Sequence, residues 1–76
     1  MPANLPLQVL WIDDDIDLTA DLAHYFADLG YVIDCAGDLA GGRERLAAKR
    51  YHLTIVDLTL PDGSGLTLLR DADRQQ

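Results

Sequence analysis

Three short apolar runs, separated by stretches of helical periodicity, restrict the folds open to this chain more than any other feature. The runs are Val9-Leu10-Trp11-Ile12, Tyr31-Val32-Ile33 and Leu53-Thr54-Ile55-Val56. Each is rich in β-branched or aromatic residues and too short to stand alone as a helix, so each reads as a strand. The first and third are continuous rather than alternating, the pattern of strands covered on both faces. Between the first two, Leu18, Leu22, Phe26 and Leu29 recur at spacings of three and four and form one apolar stripe. Asp15 or Asp17 is placed to cap the start of that helix, and Gly30 stands where a helix C-terminus favours glycine. A weaker helical pattern runs from Leu39 to Lys49, with Gly41 and Gly42 inside it, each costing up to about 1 kcal/mol against alanine. Pro61, Asp62 and Gly63 form a turn, and a third helix carrying Leu66, Leu68 and Leu69 is expected from Ser64.

The order strand, helix, strand, helix, strand, helix implies right-handed βαβ units and a parallel sheet, an α/β fold. In such sheets ligands bind beyond the carboxyl ends of the strands. The first strand ends at Asp13 and the third at Asp57, so two distant stretches bring carboxylates to one rim. Asp13, Asp14 and Asp57 together suit a hard divalent cation with oxygen ligands, Mg²⁺ above all, and a backbone carbonyl just past Asp57 can add a ligand. A metal there would offset charge on a phosphoryl group while a carboxylate attacks it, giving an acyl phosphate.

Composition narrows the alternatives. The 76 residues fill one small domain and carry a formal charge of −7, which disfavours direct nucleic-acid binding by this segment. No apolar run approaches the ~20 residues that span a membrane. The start, MPANLPLQ, lacks the basic and apolar regions of a signal peptide, and the lone Cys35 fits a reducing compartment, so a cytoplasmic location is expected. His24 and His52 have no Cys or His partner at a zinc-binding spacing.

The stretches VLWIDDD and YHLTIVDLTLPDGSG resemble the first and third strands of response-regulator receiver domains, with the acidic pair, the acceptor aspartate and the following Pro-and-Gly loop in place. The resemblance spans residues 7–72, and the loop wording is closest to regulators that carry a winged-helix DNA-binding output domain. It implies a flavodoxin-like sheet with helices on both faces, here β1-α1-β2-α2-β3-α3 with strand order 2-1-3 of the family's 2-1-3-4-5. It further implies that Asp57 is phosphorylated, that Asp14 contacts Mg²⁺ directly, Asp13 mainly through water and Thr59 through its carbonyl, and that a sensor histidine kinase is the phosphodonor. A receiver is not an enzyme beyond Mg²⁺-dependent self-phosphorylation from a small donor.

Residues 1–76 read as a partial receiver domain. The family's fourth and fifth strands, which bring a Ser or Thr and a Lys to the phosphoryl group, are expected to have no counterpart in them, nor is an output domain expected among them. Phosphorylation is therefore expected to be impaired in this segment, and the exposed third strand is expected to promote self-association. Two other readings stay open. One is a non-catalytic dimerisation or complementation half-domain. The other is a fragment of a haloacid-dehalogenase-like phosphatase, since Asp15-Ile16-Asp17-Leu18-Thr19 fits the DxDxT pattern of that family.

Overall fold

The computed structural model describes residues 6–74. Its elements are Leu7–Ile12 (β1), Ile16–Asp28 (α1), Tyr31–Ala36 (β2), Leu39–Ala48 (α2), Leu53–Val56 (β3), Thr59–Leu60 (β4), Gly63–Ser64 (β5) and Leu66–Arg74 (α3). The strands β2, β1 and β3 form one parallel sheet in that order, and β4 and β5 form a separate antiparallel hairpin. Register runs from Leu7↔Tyr31 to Ile12↔Ala36 on one side of β1 and from Val9↔Leu53 to Ile12↔Val56 on the other. The expected α/β order and the 2-1-3 arrangement are thus present.

Side chains alternate across a strand, so paired residues share a face. Leu10 and Ile12 of β1 are fully buried and pack with Leu39 of α2, Leu60 of β4 and Leu68 of α3. Burying each such side chain stabilises the fold by about 1.5–3 kcal/mol. The other face takes α1, whose buried Thr19 lies against Cys35. Helices therefore flank both faces.

Local chemistry explains where the helices begin and end. The Asp15 carboxylate accepts Leu18 N–H at 3.1 Å and caps α1, which settles the choice between Asp15 and Asp17. Gly30 follows the end of α1 with φ +95°, a conformation that suits glycine. Gly42, which weakens α2 as a helix, lies flush on the sheet: a Cβ there would meet Ile12 Cδ1 at 2.7 Å and Leu68 Cδ1 at 3.1 Å. Close packing offsets the low helix propensity.

Three expectations need correction. α3 begins at Leu66 rather than Ser64, because residues 63–64 pair with 59–60 in the hairpin. The second strand extends three residues beyond Ile33, to Ala36. β3 is not covered on both faces: Thr54 and Val56 turn toward α2 and α3, but Leu53 is 54% and Ile55 36% exposed. Among the described residues no helix covers them, since α1 packs over β2.

Candidate functional site

Parallel pairing brings the carboxyl ends of β1 and β3 side by side. Asp57 N–H donates to the Ile12 carbonyl at 2.8 Å, and Asp13 N–H donates to the Ala36 carbonyl at 2.9 Å. The residue after each strand is thereby tied to the neighbouring strand at the same rim. Asp13, Asp14 and Asp57 each bring a carboxylate oxygen to within 4.8 Å of the others; Asp13 and Asp57 are half-buried and Asp14 is exposed.

Two of these carboxylates are oriented by the backbone that follows them. Asp13 Oδ1 accepts Asp15 N–H at 3.0 Å, and Asp57 Oδ1 accepts Thr59 N–H at 3.1 Å. Both side chains are therefore oriented before any ligand arrives, with a second oxygen left over. All the donors are hard oxygens, the set that suits Mg²⁺ rather than a thiophilic metal.

Thr59 joins the site through its hairpin position. Gly65 N–H donates to the Leu58 carbonyl at 3.0 Å. Hydrogen-bonded and non-bonded pairs alternate along an antiparallel ladder. Thr59↔Ser64 is then the non-bonded pair, and the backbone groups of Thr59 face away from β5. Its N–H is the one that reaches Asp57, and its carbonyl lies along the same edge of the strand. Gly65 seals the back of this arrangement. It is buried, and a Cβ there would overlap the Asp57 carbonyl oxygen and meet Val56 Cγ2 at 2.8 Å.

Other acidic residues have different work. Asp15 is committed to the α1 cap and does not end a strand, which leaves DxDxT chemistry without its nucleophile position. Asp62, which in sequence brackets the same loop as Asp57, is turned onto α2: its two oxygens accept Leu39 N–H at 2.8 Å and Ala40 N–H at 3.1 Å. Those bonds, Leu39 first, hold the Asp62 carboxyl below its ordinary range. Nothing local in the sequence signals this contact.

Basic residues gather at the opposite end of the sheet. Lys49 Nζ lies 3.0 Å from Asp34 Oδ2 and 2.9 Å from Gln8 Oε1. Tyr51 O–H donates to Asp34 at 2.6 Å, and His52 Nδ1 accepts Gln8 N–H at 2.8 Å.

The family model of the response regulator receiver domain matches residues 9–76. The transcriptional regulatory protein PmrA of Pectobacterium parmentieri is 36% identical over 83% of this chain, and the chain spans 28% of that protein. TorR of Escherichia coli, the transcriptional regulatory protein of the TorCAD operon, is 32% identical over 87% of this chain, which spans 29% of it. Among solved structures, the non-phosphorylated HemR receiver domain of Leptospira biflexa superimposes with a TM-score of 0.84 at 24% identity, covering 93% of this chain and 56% of that one. The chemotaxis response regulator CheY4 of Vibrio cholerae gives a TM-score of 0.85 at 24% identity, covering 92% and 58%.

Proposed function

The chain belongs to the response regulator receiver domain family, and from that premise we propose that Asp57 is its phosphoryl acceptor. The observation that carries the reading is the convergence of Asp13, Asp14 and Asp57 within 4.8 Å at the carboxyl ends of two parallel strands. Asp13, Asp14, Asp57 and the Thr59 carbonyl are the residues that would hold Mg²⁺. When bound, the cation supplies the positive charge that lets three carboxylates share one crevice with a phosphoryl group.

The chain's own part in the transfer is nucleophilic. Thr59 N–H holds one oxygen of Asp57, and the other attacks phosphorus in line. A P–O bond to Asp57 forms as the donor's bond to phosphorus breaks and its electron pair leaves with the donor. A sensor histidine kinase is the natural donor for such a site, in a cytoplasmic signalling protein. DNA binding belongs to segments outside these residues. No described helix is long and apolar enough to cross a membrane.

Intact mass after incubation with Mg²⁺ and acetyl phosphate tests the proposal, with Asp57→Asn as control. A single phosphoryl adduct that disappears in the variant is the expected result. An adduct that persists in Asp57→Asn would overturn the assignment. No adduct in either protein would limit these residues to the metal-binding part of the site.

A second reading, self-association through β3, has its own support. β3 is an edge of the sheet and exposes Leu53 and Ile55. An unpaired apolar edge recruits another strand. Sedimentation at micromolar concentration as a compact monomer would reject it.

A further inference from the structure

We infer that Asp62 is a positioning residue for the metal-binding half of the site: by clamping the first turn of α2, it fixes the β4–β5 hairpin and so the backbone groups of Thr59. The inference rests on the Mg²⁺ reading of Asp13, Asp14, Asp57 and Thr59.

The hairpin cannot hold itself. It has two residues in each strand, and an isolated hairpin is marginal in water even when longer. Two anchors tie it to the domain. Leu60 is buried in the core. Asp62, in the turn, bridges to Leu39 N–H at 2.8 Å and Ala40 N–H at 3.1 Å. Gly63 sits in the same contact: its φ is +144°, and a Cβ would meet Leu39 Cδ1 at 2.8 Å. The turn therefore lies flush on the residue that Asp62 grips.

The α2 helix does not depend on Asp62 for a cap. Asp38 already serves as N-cap, accepting Gly41 N–H at 2.7 Å. A carboxylate at a helix N-terminus is favoured by both free N–H groups and the helix dipole. Here that attraction is supplied from the loop 23 residues away in sequence. What Asp62 adds is a link between α2 and the segment that carries Thr59. Without it, the tip of the hairpin is held only by apolar packing, of Leu60 in the core and of Gly63 against Leu39, and the Thr59 bond to Asp57 is free to lengthen.

Asp38 provides the matched control, since Asp38→Ala removes a cap from the same helix turn without touching the hairpin. The experiment has two arms, both read by amide NMR on the full chain. The first is titration with Mg²⁺ alone. Asp62→Ala is expected to weaken binding about tenfold, the size of effect that loss of an outer-shell partner has on a metal site. Asp38→Ala is expected to stay within about twofold, and Asp62→Asn, which keeps one acceptor, to fall between them. The second arm is hydrogen exchange without metal. Thr59 and Gly65 amides are expected to exchange several-fold faster in Asp62→Ala and Asp62→Asn than in Asp38→Ala. Equal effects of Asp62→Ala and Asp38→Ala in both arms would reduce Asp62 to a second cap and overturn the inference. A wild-type chain silent to Mg²⁺ would instead sink the metal reading, and the exchange arm would still decide the latch.

Discussion

Within the body of the strands, Asp34, level with Leu10 in the register, accepts the Tyr51 O–H at 2.6 Å and pairs with Lys49 at 3.0 Å. At the end where they finish, Asp13, Asp14 and Asp57 crowd within 4.8 Å of one another, and none of them takes part in an ion pair among the described residues. The same side chain is thus paired in one place and crowded by its own kind in the other. Two carboxylates about 5 Å apart repel by about 1 kcal/mol even at the dielectric of water. The three carboxylates at the rim are therefore a candidate cation site, whereas the Asp34 network is closed by the chain's own residues.

One substitution made in both places should act with opposite signs. Asp34→Asn is expected to lower stability by about 2 kcal/mol, because it weakens a charge-assisted hydrogen bond and leaves Lys49 with Gln8 but no carboxylate. Asp57→Asn, measured without divalent cations, is expected to raise stability by about 1 kcal/mol by removing repulsion, while its amide oxygen still accepts Thr59 N–H. Urea unfolding in chelator checks both, and equal signs would dissolve the contrast.

A smaller effect sharpens the Asp34 network by pH. The hydrogen bond from Tyr51 is the main reason the Asp34 carboxyl lies below its ordinary value of 3.8; partial burial opposes it and Lys49 assists. Because the folded value is depressed, this contribution is present above the unfolded value and lost as pH falls through the folded one. Tyr51 is pushed from 10.0 to about 12, by burial first and then by Asp34. A raised value works the other way: its contribution is complete below pH 10.0 and lost as pH rises through about 12. Tyr51→Phe is therefore expected to cost about 1 kcal/mol at neutral pH, with the difference from wild type narrowing on the alkaline limb. Denaturant midpoints across pH would show it.

The smallest change tests whether any ion pair would serve. Arg43 meets Asp71 at 3.2 Å between α2 and α3, with both side chains more than two-fifths exposed. Arg43→Ala is expected to change stability by less than about 0.5 kcal/mol, since water screens such pairs. A loss as large as that of Asp34→Asn would mean that burial is not what distinguishes the Asp34 network.

Much of this was legible in the sequence because it is local. The apolar runs placed all three sheet strands, and Leu53–Val56 matches its strand residue for residue. Asp13, Asp14 and Asp57 could be brought together because a parallel sheet delivers successive strand ends to one rim. What escaped depends on contacts between distant segments. The hairpin has strands too short to leave a hydrophobic pattern. The grip of Asp62 on Leu39 and the seat of Gly42 on Ile12 join residues whose neighbours in sequence give no hint of it. The open face of β3 escaped for a related reason: a continuous apolar run states what a strand can bury, and only the packed structure states what covers it.

The central place of β1 also governs the order of events during synthesis. Of the three described strands of this sheet it is made first, yet it pairs on both sides with strands made later. Its second edge must wait for β3, whose approach is marked by the contact of Gln8 with His52, 44 residues downstream. A growing chain therefore carries a half-paired apolar strand until β3 emerges, and closing that long loop is a slow step of the kind that limits parallel sheets. The βαβ unit of residues 7–36 can gather early, and the acidic rim comes into being only once β3 has joined it.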